Sequence, residues 1–248
     1  ARCEIIISAG AIGSPQILML SGIGDQKDLA NHGIAPIHHL PGVGKNLQDH
    51  LQARPIYKCN ASTINTETKS PFQLLSIALE YAFKRSGPMA MAASLGTAFL
   101  KTRPELETPD IQFHLQPFSA DNVAAGSHHF SAFTTSVLQL RPESRGCLKL
   151  LSANSEDYPA IHPNYLATRT DCDALIAGIK IARVICKTNP VKSLITEEYA
   201  PGLTVAEDDD DAILEWVRNT ATTIYHPTGT CKMGQDKMSV VDEKLQVH

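Results

Sequence analysis

One histidine lies in a sequence context that suits proton transfer. The stretch TIYHPTGTCKMG, Thr223–Gly234, places His226 directly before Pro227 and puts Gly229 close behind them. Proline disfavours helical geometry in the residue before it, so His226 is predicted to lie on a loop. Glycine lets such a loop approach a flat partner closely. An imidazole titrates near neutral pH and can take a proton from a substrate hydroxyl. A loop histidine that is merely bonded to backbone is the alternative.

A strand, a glycine turn and a helix start are predicted near the N-terminal end. Glu4–Ser8 reads EIIIS, a β-branched run typical of a short buried strand. The turn at Gly10–Gly13 leads to Ser14 as helix N-cap and Pro15 as the first helical residue, and the helix ends at Gly22. This arrangement can bring backbone N–H groups to a phosphate or a ribose. A plain tight turn is the alternative.

Other signatures of cofactor or metal binding are weak. The run GVGKNL at 42–47 lacks the third glycine of a dinucleotide fingerprint and follows a proline rather than a strand. The six cysteines form no C-x-x-C pair, and we expect mostly buried thiols in a reducing compartment. The pairs His38-His39 and His128-His129 are adjacent, so their side chains point to opposite faces of an extended chain. No metal site is expected.

Composition excludes several classes of protein. The chain has 248 residues, 43% of them hydrophobic and 19% charged, which is ordinary for a globular protein. The net charge is −4 without a basic stripe, so nucleic acid is not an expected partner. The longest apolar stretch, 88–100, is too short to cross a bilayer and contains polar residues. We expect a cytoplasmic protein without an integral membrane segment, and leave peripheral membrane association of the parent open.

The elements that must position these residues indicate an α+β fold. Ile111–Gln116 alternates cleanly and places His114 on the polar face of a strand. Further strands are predicted at 133–140 and 147–151, and helices from 70 to 84, from about 171 to before 189, and from the acidic run 207–211 through 218. Strands and helices do not alternate regularly after residue 60. We therefore predict an antiparallel sheet with helices packed on it.

Three ordered motifs resemble those of the glucose-methanol-choline (GMC) oxidoreductases. Residues 10–24, GAIGSPQILMLSGIG, resemble the second signature of the family, with matches at Gly10, Ala11, Ser14, Pro15, Ser21, Gly22 and Gly24. The segment 41–50, PGVGKNLQDH, resembles the segment that follows it, and 225–234 resembles the active-site segment. Within the family, 101–117 and 144–150 are most similar to choline dehydrogenases and related bacterial alcohol dehydrogenases.

The resemblance implies an FAD-dependent enzyme that oxidises a primary alcohol by hydride transfer to flavin N5, with His226 as the base. His114 would line the substrate pocket, although a surface-facing histidine is equally compatible with its strand. The residues implied to lie near FAD are Ala9, Gly10, Ala11, Ser14, Asn46, Asp49, His50 and Pro227. For the three residues at 46, 49 and 50 a capped turn is the alternative. The alcohol and the electron acceptor are left open.

The resemblance also implies a division of the chain. Residues 1–56 would be a remnant of the FAD-binding domain, 57–222 the substrate domain, and 223–248 a return to the FAD-binding domain. The family's N-terminal glycine-rich FAD motif and its last C-terminal segment are not found in the sequence. Two interpretations follow: a portion of an alcohol-oxidising enzyme, or a substrate-domain module that is inactive and does not bind FAD by itself.

Overall fold

The computed structural model describes residues 3–92, 94–121 and 126–248. These residues fall into two compact units. Unit 1 comprises Ala1–His50, Pro142–Asp171 and Thr223–His248, and unit 2 comprises Leu51–Arg141 and Cys172–Thr222. The boundaries expected from the sequence differ from these, because the expected central domain, 57–222, includes 142–171. The assignment of each part to cofactor or substrate stays a prediction.

Six α-helices and eleven short strands are formed by the described residues. The helices are α1 Gly10–Leu20, α2 Gln26–Asn31, α3 Ile64–Glu67, α4 Pro71–Lys84, α5 Arg169–Cys186 and α6 Asp210–Thr220. The strands are β1 Ile23–Gly24, β2 His38–His39, β3 Leu51–Ala53, β4 Ile56–Cys59, β5 Gly96–Leu100, β6 Ile111–Gln116, β7 Ala132–Gln139, β8 Cys147–Lys149, β9 Ala160–His162, β10 Ile195–Ala200 and β11 Thr222–Thr223. None of the helices in the described ranges has the length and apolar character needed to cross a bilayer.

The antiparallel sheet predicted from the sequence is confirmed in unit 2. Strands β10, β4, β7 and β3 pair in that order, while β6 pairs with both β7 and β5. All of these pairs are antiparallel. The central strand β7 is buried along its whole length, because it has neighbours on both edges and a helix on one face.

Helix α5 covers that face of the sheet. Gly178 allows the approach, since a Cβ at this position would lie 2.6 Å from Cγ2 of Val137 on β7. Leu175 and Ile179 are fully buried, as their helical spacing predicts. Ile185, which lies at helical spacing from these residues, is 39% exposed. The end of α5 therefore leaves the sheet partly uncovered.

Unit 1 has a separate apolar core. Its buried members come from α1, α2, the segment after β2, β8 and the C-terminal region, and they are Leu18, Met19, Leu29, Leu40, Val43, Leu148, Leu150 and Val240. The predicted strand at 147–151 is confirmed at Cys147–Lys149, but it pairs with β9 and not with the large sheet.

Two predictions about the N-terminal region are wrong. Glu4–Ser8 forms no strand, and Ile5 and Ile6 are 78% and 79% exposed. Within the described chain no strand pairs with this run, and an unpaired strand has nothing to bury its side chains against. The helix begins at Gly10 rather than at Ser14, so Pro15 lies inside α1.

Helix α4 forms where predicted, with Pro71 at its first position, but the side chain of Ser70 makes no capping hydrogen bond. Its apolar side chains are not covered either. Leu75 and Leu79 are exposed, and no residue of α4 is buried. The helical pattern thus predicted the element correctly but not its burial.

Candidate active site

In the candidate site of unit 1, the segment 44–50 lies between two other segments and is hydrogen-bonded to both. On one side, Leu47 and Gly146 exchange backbone hydrogen bonds of 3.0 and 2.8 Å. On the other side, Gln48 and Thr228 exchange bonds of 2.9 and 2.8 Å. The loop that carries His226 is therefore held as if it were an edge strand, by a partner far away in sequence.

The close approach of the histidine loop to the segment 44–50 depends on a glycine. Gly229 has a φ of +91°, and a Cβ there would lie 2.4 Å from the backbone oxygen of Asn46. Asn46 is itself left-handed, with a φ of +60°, and its side-chain Nδ2 donates to the Gly229 oxygen at 3.0 Å. The amide of Asn46 is thus bonded to the loop that carries His226.

Asp49 fixes the histidine loop through its carboxylate. Oδ1 accepts the backbone N–H of His226 at 3.0 Å, and Oδ2 accepts the Thr223 hydroxyl at 2.5 Å. Oδ2 also accepts the hydroxyl of Tyr165. Burial, followed by the hydrogen bond to Asp49, raises the pKa of Tyr165 above its ordinary value, so this phenol remains a donor. No sequence signal pointed to Tyr165, because its pairing depends on a fold contact 116 residues away.

The imidazole of His226 lies at the surface of unit 1. It follows α6 and β11 on a loop, as the His-Pro pair predicts. The preceding residue, Tyr225, takes a left-handed φ of +64° and donates its N–H to the Thr223 hydroxyl at 2.8 Å. The rings of His226 and His50 lie 5.8 Å apart, at 64° to each other. Two imidazoles thus lie beside each other in unit 1.

The start of α1 is suited to an anion or a ribose. Ala9 is the N-cap, and its N–H donates to the Ser14 hydroxyl at 3.1 Å. The first turn contains no acidic residue, Gly10 is exposed, and the space beyond Gly10 is open. An eleven-residue helix offers its first N–H groups and its dipole at this end. These residues fit part of a dinucleotide cofactor, with the small side chains of Ala9 and Ala11 beside the opening.

A threonine ties α1 to the histidine loop. Pro15 has no N–H, so it leaves the carbonyl oxygen of Ala11 without its usual helical donor. The hydroxyl of Thr230 supplies the missing hydrogen bond, at 2.6 Å. Unit 1 thus contains both groups of predicted site residues. The first group is Ala9, Gly10, Ala11 and Ser14, and the second comprises the residues at 46, 49, 50, 226 and 227.

Other chemistry is not indicated at this site. Burial raises the pKa of the Cys231 thiol to about 11, so this residue stays protonated at neutral pH and is a poor nucleophile. The described residues contain no cluster of three or more histidine, cysteine or acidic side chains that could hold a metal ion.

His114 lies in unit 2, on β6. It is half-buried and stands opposite Ser136 on β7 and Thr97 on β5. Its register places it on the face of the sheet away from α5, because the neighbouring position, Phe113, is opposite Val137. Its expected place in a substrate pocket stays a prediction.

Family models match both ends of the chain. The GMC oxidoreductase model for the C-terminal region matches residues 142–248, and the GMC oxidoreductase model for the N-terminal region matches residues 1–52. Among curated relatives, "Alcohol dehydrogenase [acceptor]" of Pseudomonas putida is 42% identical over 250 residues, covering 98% of this chain and 44% of the relative. "Choline dehydrogenase, mitochondrial" of Homo sapiens is 39% identical over 249 residues, covering 100% of this chain and 42% of the relative. The chain thus spans less than half the length of these relatives.

Solved structures share the fold. A formate oxidase aligns with a TM-score of 0.86 and 25% identity, over 99% of this chain and 47% of that chain. A pyridoxine 4-oxidase from Mesorbium loti aligns with a TM-score of 0.79 and 24% identity, over 97% of this chain and 43% of that chain.

Proposed function

The chain belongs to the GMC oxidoreductase family, and we propose that the complete protein oxidises a primary alcohol to the aldehyde with FAD as cofactor. The observation that carries the proposal is the exposed imidazole of His226, on a loop that Asp49 and Asn46 hold in place beside the start of α1. The names of the relatives, choline dehydrogenase and alcohol dehydrogenase [acceptor], support alcohols as the substrate class.

We assign the base to His226. Hydride can leave a carbinol carbon only as the hydroxyl loses its proton, so the substrate hydroxyl must meet an unprotonated acceptor. The ring of His226 is exposed and open to a substrate, while the backbone N–H of His226 donates to Asp49. His50, 5.8 Å away ring to ring, adds a second group that can bond the same hydroxyl or relay its proton. FAD, when bound, supplies the hydride acceptor at flavin N5.

The residues that would hold part of FAD lie at the start of α1. Gly10 presents its backbone beside open space, Ala9 and Ala11 flank it in the sequence, and Ser14 stabilises that turn by accepting the N–H of Ala9. Pro227, next to the base, would restrict the loop against the cofactor. The carboxylate of Asp49 is engaged by three donors of the chain itself, so we assign it to the loop rather than to the cofactor. His114 would form a wall of the substrate pocket.

A second proposal concerns the 248-residue chain by itself. We propose that it holds no stoichiometric FAD and oxidises no alcohol. The exposed, unpaired run at Ile5 and Ile6 supports this, because in a complete flavin site the strand before α1 belongs to a sheet. The test is an absorbance spectrum after incubation with FAD and removal of free cofactor. A flavin band near one equivalent per chain would refute the proposal.

The test of the main proposal is reduction of the flavin without oxygen in the complete protein. We expect primary alcohols to bleach the flavin band, whereas tert-butanol, which has no hydrogen on its carbinol carbon, does not. Choline and its uncharged isostere dimethylbutanol form a matched pair for the substrate class. If no primary alcohol bleaches a fully FAD-loaded protein, the proposed function is wrong.

A further inference from the structure

Tyr165 lies in a turn whose backbone is strained on both sides of it. Asn164 and Leu166 both take left-handed conformations, with φ values of +58° and +57°. Asparagine tolerates this conformation, but leucine is an outlier in it, because its Cβ crowds the backbone. Such strain persists only where the surrounding structure enforces it, and it is concentrated at functional sites. Neighbouring contacts must therefore hold this turn, and its tyrosine is the group that it presents.

The loop before β8 holds the turn through two hydrogen bonds. Nδ2 of Asn164 donates to the backbone oxygen of Arg145 at 3.1 Å, and the N–H of Ala167 donates to the Ser144 hydroxyl at 2.9 Å. That hydroxyl in turn donates to Oδ2 of Asp171, a residue that is 3% exposed. Oδ2 of Asp171 also accepts the N–H of Ser144 at 2.8 Å. The turn is thus anchored to a loop that a buried carboxylate fixes.

A glycine lets the chain before the turn approach the segment 44–50. Gly146 exchanges backbone hydrogen bonds with Leu47 in that segment. A Cβ at position 146 would overlap the backbone oxygen of His162 and lie 2.6 Å from that of Pro163. A residue with a side chain would therefore not fit between the two segments. The chain that leaves β9 and enters the turn thus passes close to the segment 44–50.

The group that the turn presents is the hydroxyl of Tyr165. It donates to Oδ2 of Asp49, which also accepts the Thr223 hydroxyl at 2.5 Å. Two donors on one oxygen fix the orientation of the carboxylate, so that Oδ1 meets the backbone N–H of His226 at 3.0 Å. Thr223 lies on the same stretch of chain as His226 and moves with it. Tyr165 comes from a separate segment and supplies the fixed point.

We propose that Tyr165 is a positioning residue for alcohol oxidation, whose hydroxyl orients the carboxylate of Asp49 and, through it, the loop that carries the His226 imidazole. The inference rests on the proposed function, because it adds a residue behind the assigned base. Tyr165 exchanges no proton with the substrate. The strained turn joins the anchored loop before β8 to Asp49, so the position of Oδ1 is set by the body of unit 1 and not by the exposed loop.

Tyr165→Phe tests the role of the hydroxyl in the complete, FAD-loaded protein, because it keeps the ring. The rate of flavin reduction by a primary alcohol should fall about 2- to 10-fold, the worth of one net hydrogen bond. We expect kcat and kcat/KM to fall by the same factor, since the position of the base matters in the transition state and not for substrate binding. The acid limb of the pH profile should remain, because His226 is still present.

Tyr158→Phe is the matched control. Tyr158 belongs to the same unit and is 89% exposed, so its variant should react at the wild-type rate. Thermal unfolding and FAD content show that each variant is folded and loaded. The proposal is overturned if Tyr165→Phe is as fast as this control, or if the acid limb of its profile is lost.

A double-mutant cycle shows whether Tyr165 acts through Asp49. In the Asp49→Asn background the carboxylate that receives the hydroxyl is gone, so Tyr165→Phe should lower the rate by a much smaller factor than in the wild type. The same factor in both backgrounds would mean that Tyr165 acts on the rate by another route, and would overturn the proposal.

Hydrogen exchange gives a readout that does not depend on catalysis. Oδ1 of Asp49 protects the N–H of His226. Mass spectrometry of a peptide that covers residues 222–229 should therefore show faster deuterium uptake in Tyr165→Phe than in Tyr158→Phe. Equal uptake in the two variants would overturn the inference. Faster uptake in a protein that oxidises no alcohol would refute the proposed function and leave the link between Tyr165 and the histidine loop standing.

Discussion

The loop around His226 and the strand β7 are both held firmly, but by opposite kinds of contact. The loop is largely exposed, and its hydrogen bonds with Asp49, Asn46 and Gln48 fix it. Strand β7 is entirely buried and is fixed by its strand neighbours and by Val137 against Gly178. A few polar groups thus determine where the reactive group lies, whereas packing determines whether the sheet forms. Substitutions in the two regions should therefore change different quantities.

The largest effect in this comparison is expected from Asp49→Asn in the complete protein. The amide has one oxygen in place of two, so the N–H of His226 and the hydroxyls of Thr223 and Tyr165 lose a common acceptor. A displacement of about 1 Å at a reacting group can cost about 10²-fold in rate. We expect turnover to fall by roughly ten- to a hundredfold with FAD retained.

Asp157→Asn is the matched control, because Asp157 accepts from Ser152 on an exposed loop of the same unit. Its turnover should stay at the wild-type level. An Asp49→Asn enzyme as fast as this control would show that the carboxylate does not position the loop.

Gly178→Ala tests the packing side of the comparison. The new Cβ would lie 2.6 Å from Cγ2 of Val137, and overpacking of this kind costs about 1–3 kcal/mol of unfolding free energy. Chemical denaturation of the chain measures it. In the Val137→Ala background the methyl groups are gone, and the same substitution should cost much less. Equal costs in both backgrounds would mean that α5 does not press on β7 here.

The smallest effect is expected from Thr230→Val, which removes the hydrogen bond to the Ala11 oxygen and keeps the side-chain shape. One net hydrogen bond is worth about 0.5–1.5 kcal/mol of unfolding free energy. Pro15→Ala restores the helical N–H to that oxygen, so Thr230→Val should cost less in a Pro15→Ala protein. If Thr230→Val costs the same unfolding free energy in both proteins, the Thr230 hydroxyl does not replace the N–H that Pro15 lacks.

The sequence predicted which segments form helices and strands better than it predicted which side chains are buried. Ile5 and Ile6 looked like core and are exposed, whereas Thr134 and Ser136 looked ordinary and are completely buried in β7. The difference lies in strand pairing: β7 has neighbours on both sides, and the isoleucine run has none within the described chain. Periodicity identifies a strand, but partners distant in sequence decide whether it is covered.

The features of the candidate site also divide into those that a local rule predicts and those that depend on contacts between distant residues. The loop position of His226 followed from the proline after it, a local rule. Asp49 accepts hydrogen bonds from three donors, one of them Tyr165, and these contacts span more than a hundred residues. Neither the role of Asp49 nor that of Tyr165 therefore had a local signal in the sequence. Pro15 misled the prediction of the helix start, because Thr230 compensates for the donor that proline lacks.

The most direct test of the central claim is the rate of flavin reduction by a primary alcohol in His226→Ala, measured without oxygen across pH in the complete protein. A base must be unprotonated to accept the hydroxyl proton, so the wild-type rate should fall towards low pH. We expect a rate lowered by roughly 10²–10⁴-fold, the usual worth of a positioned general base, with the FAD spectrum retained and the acid limb of the profile lost. A variant that reduces its flavin at nearly the wild-type rate, with the same acid limb, would contradict it.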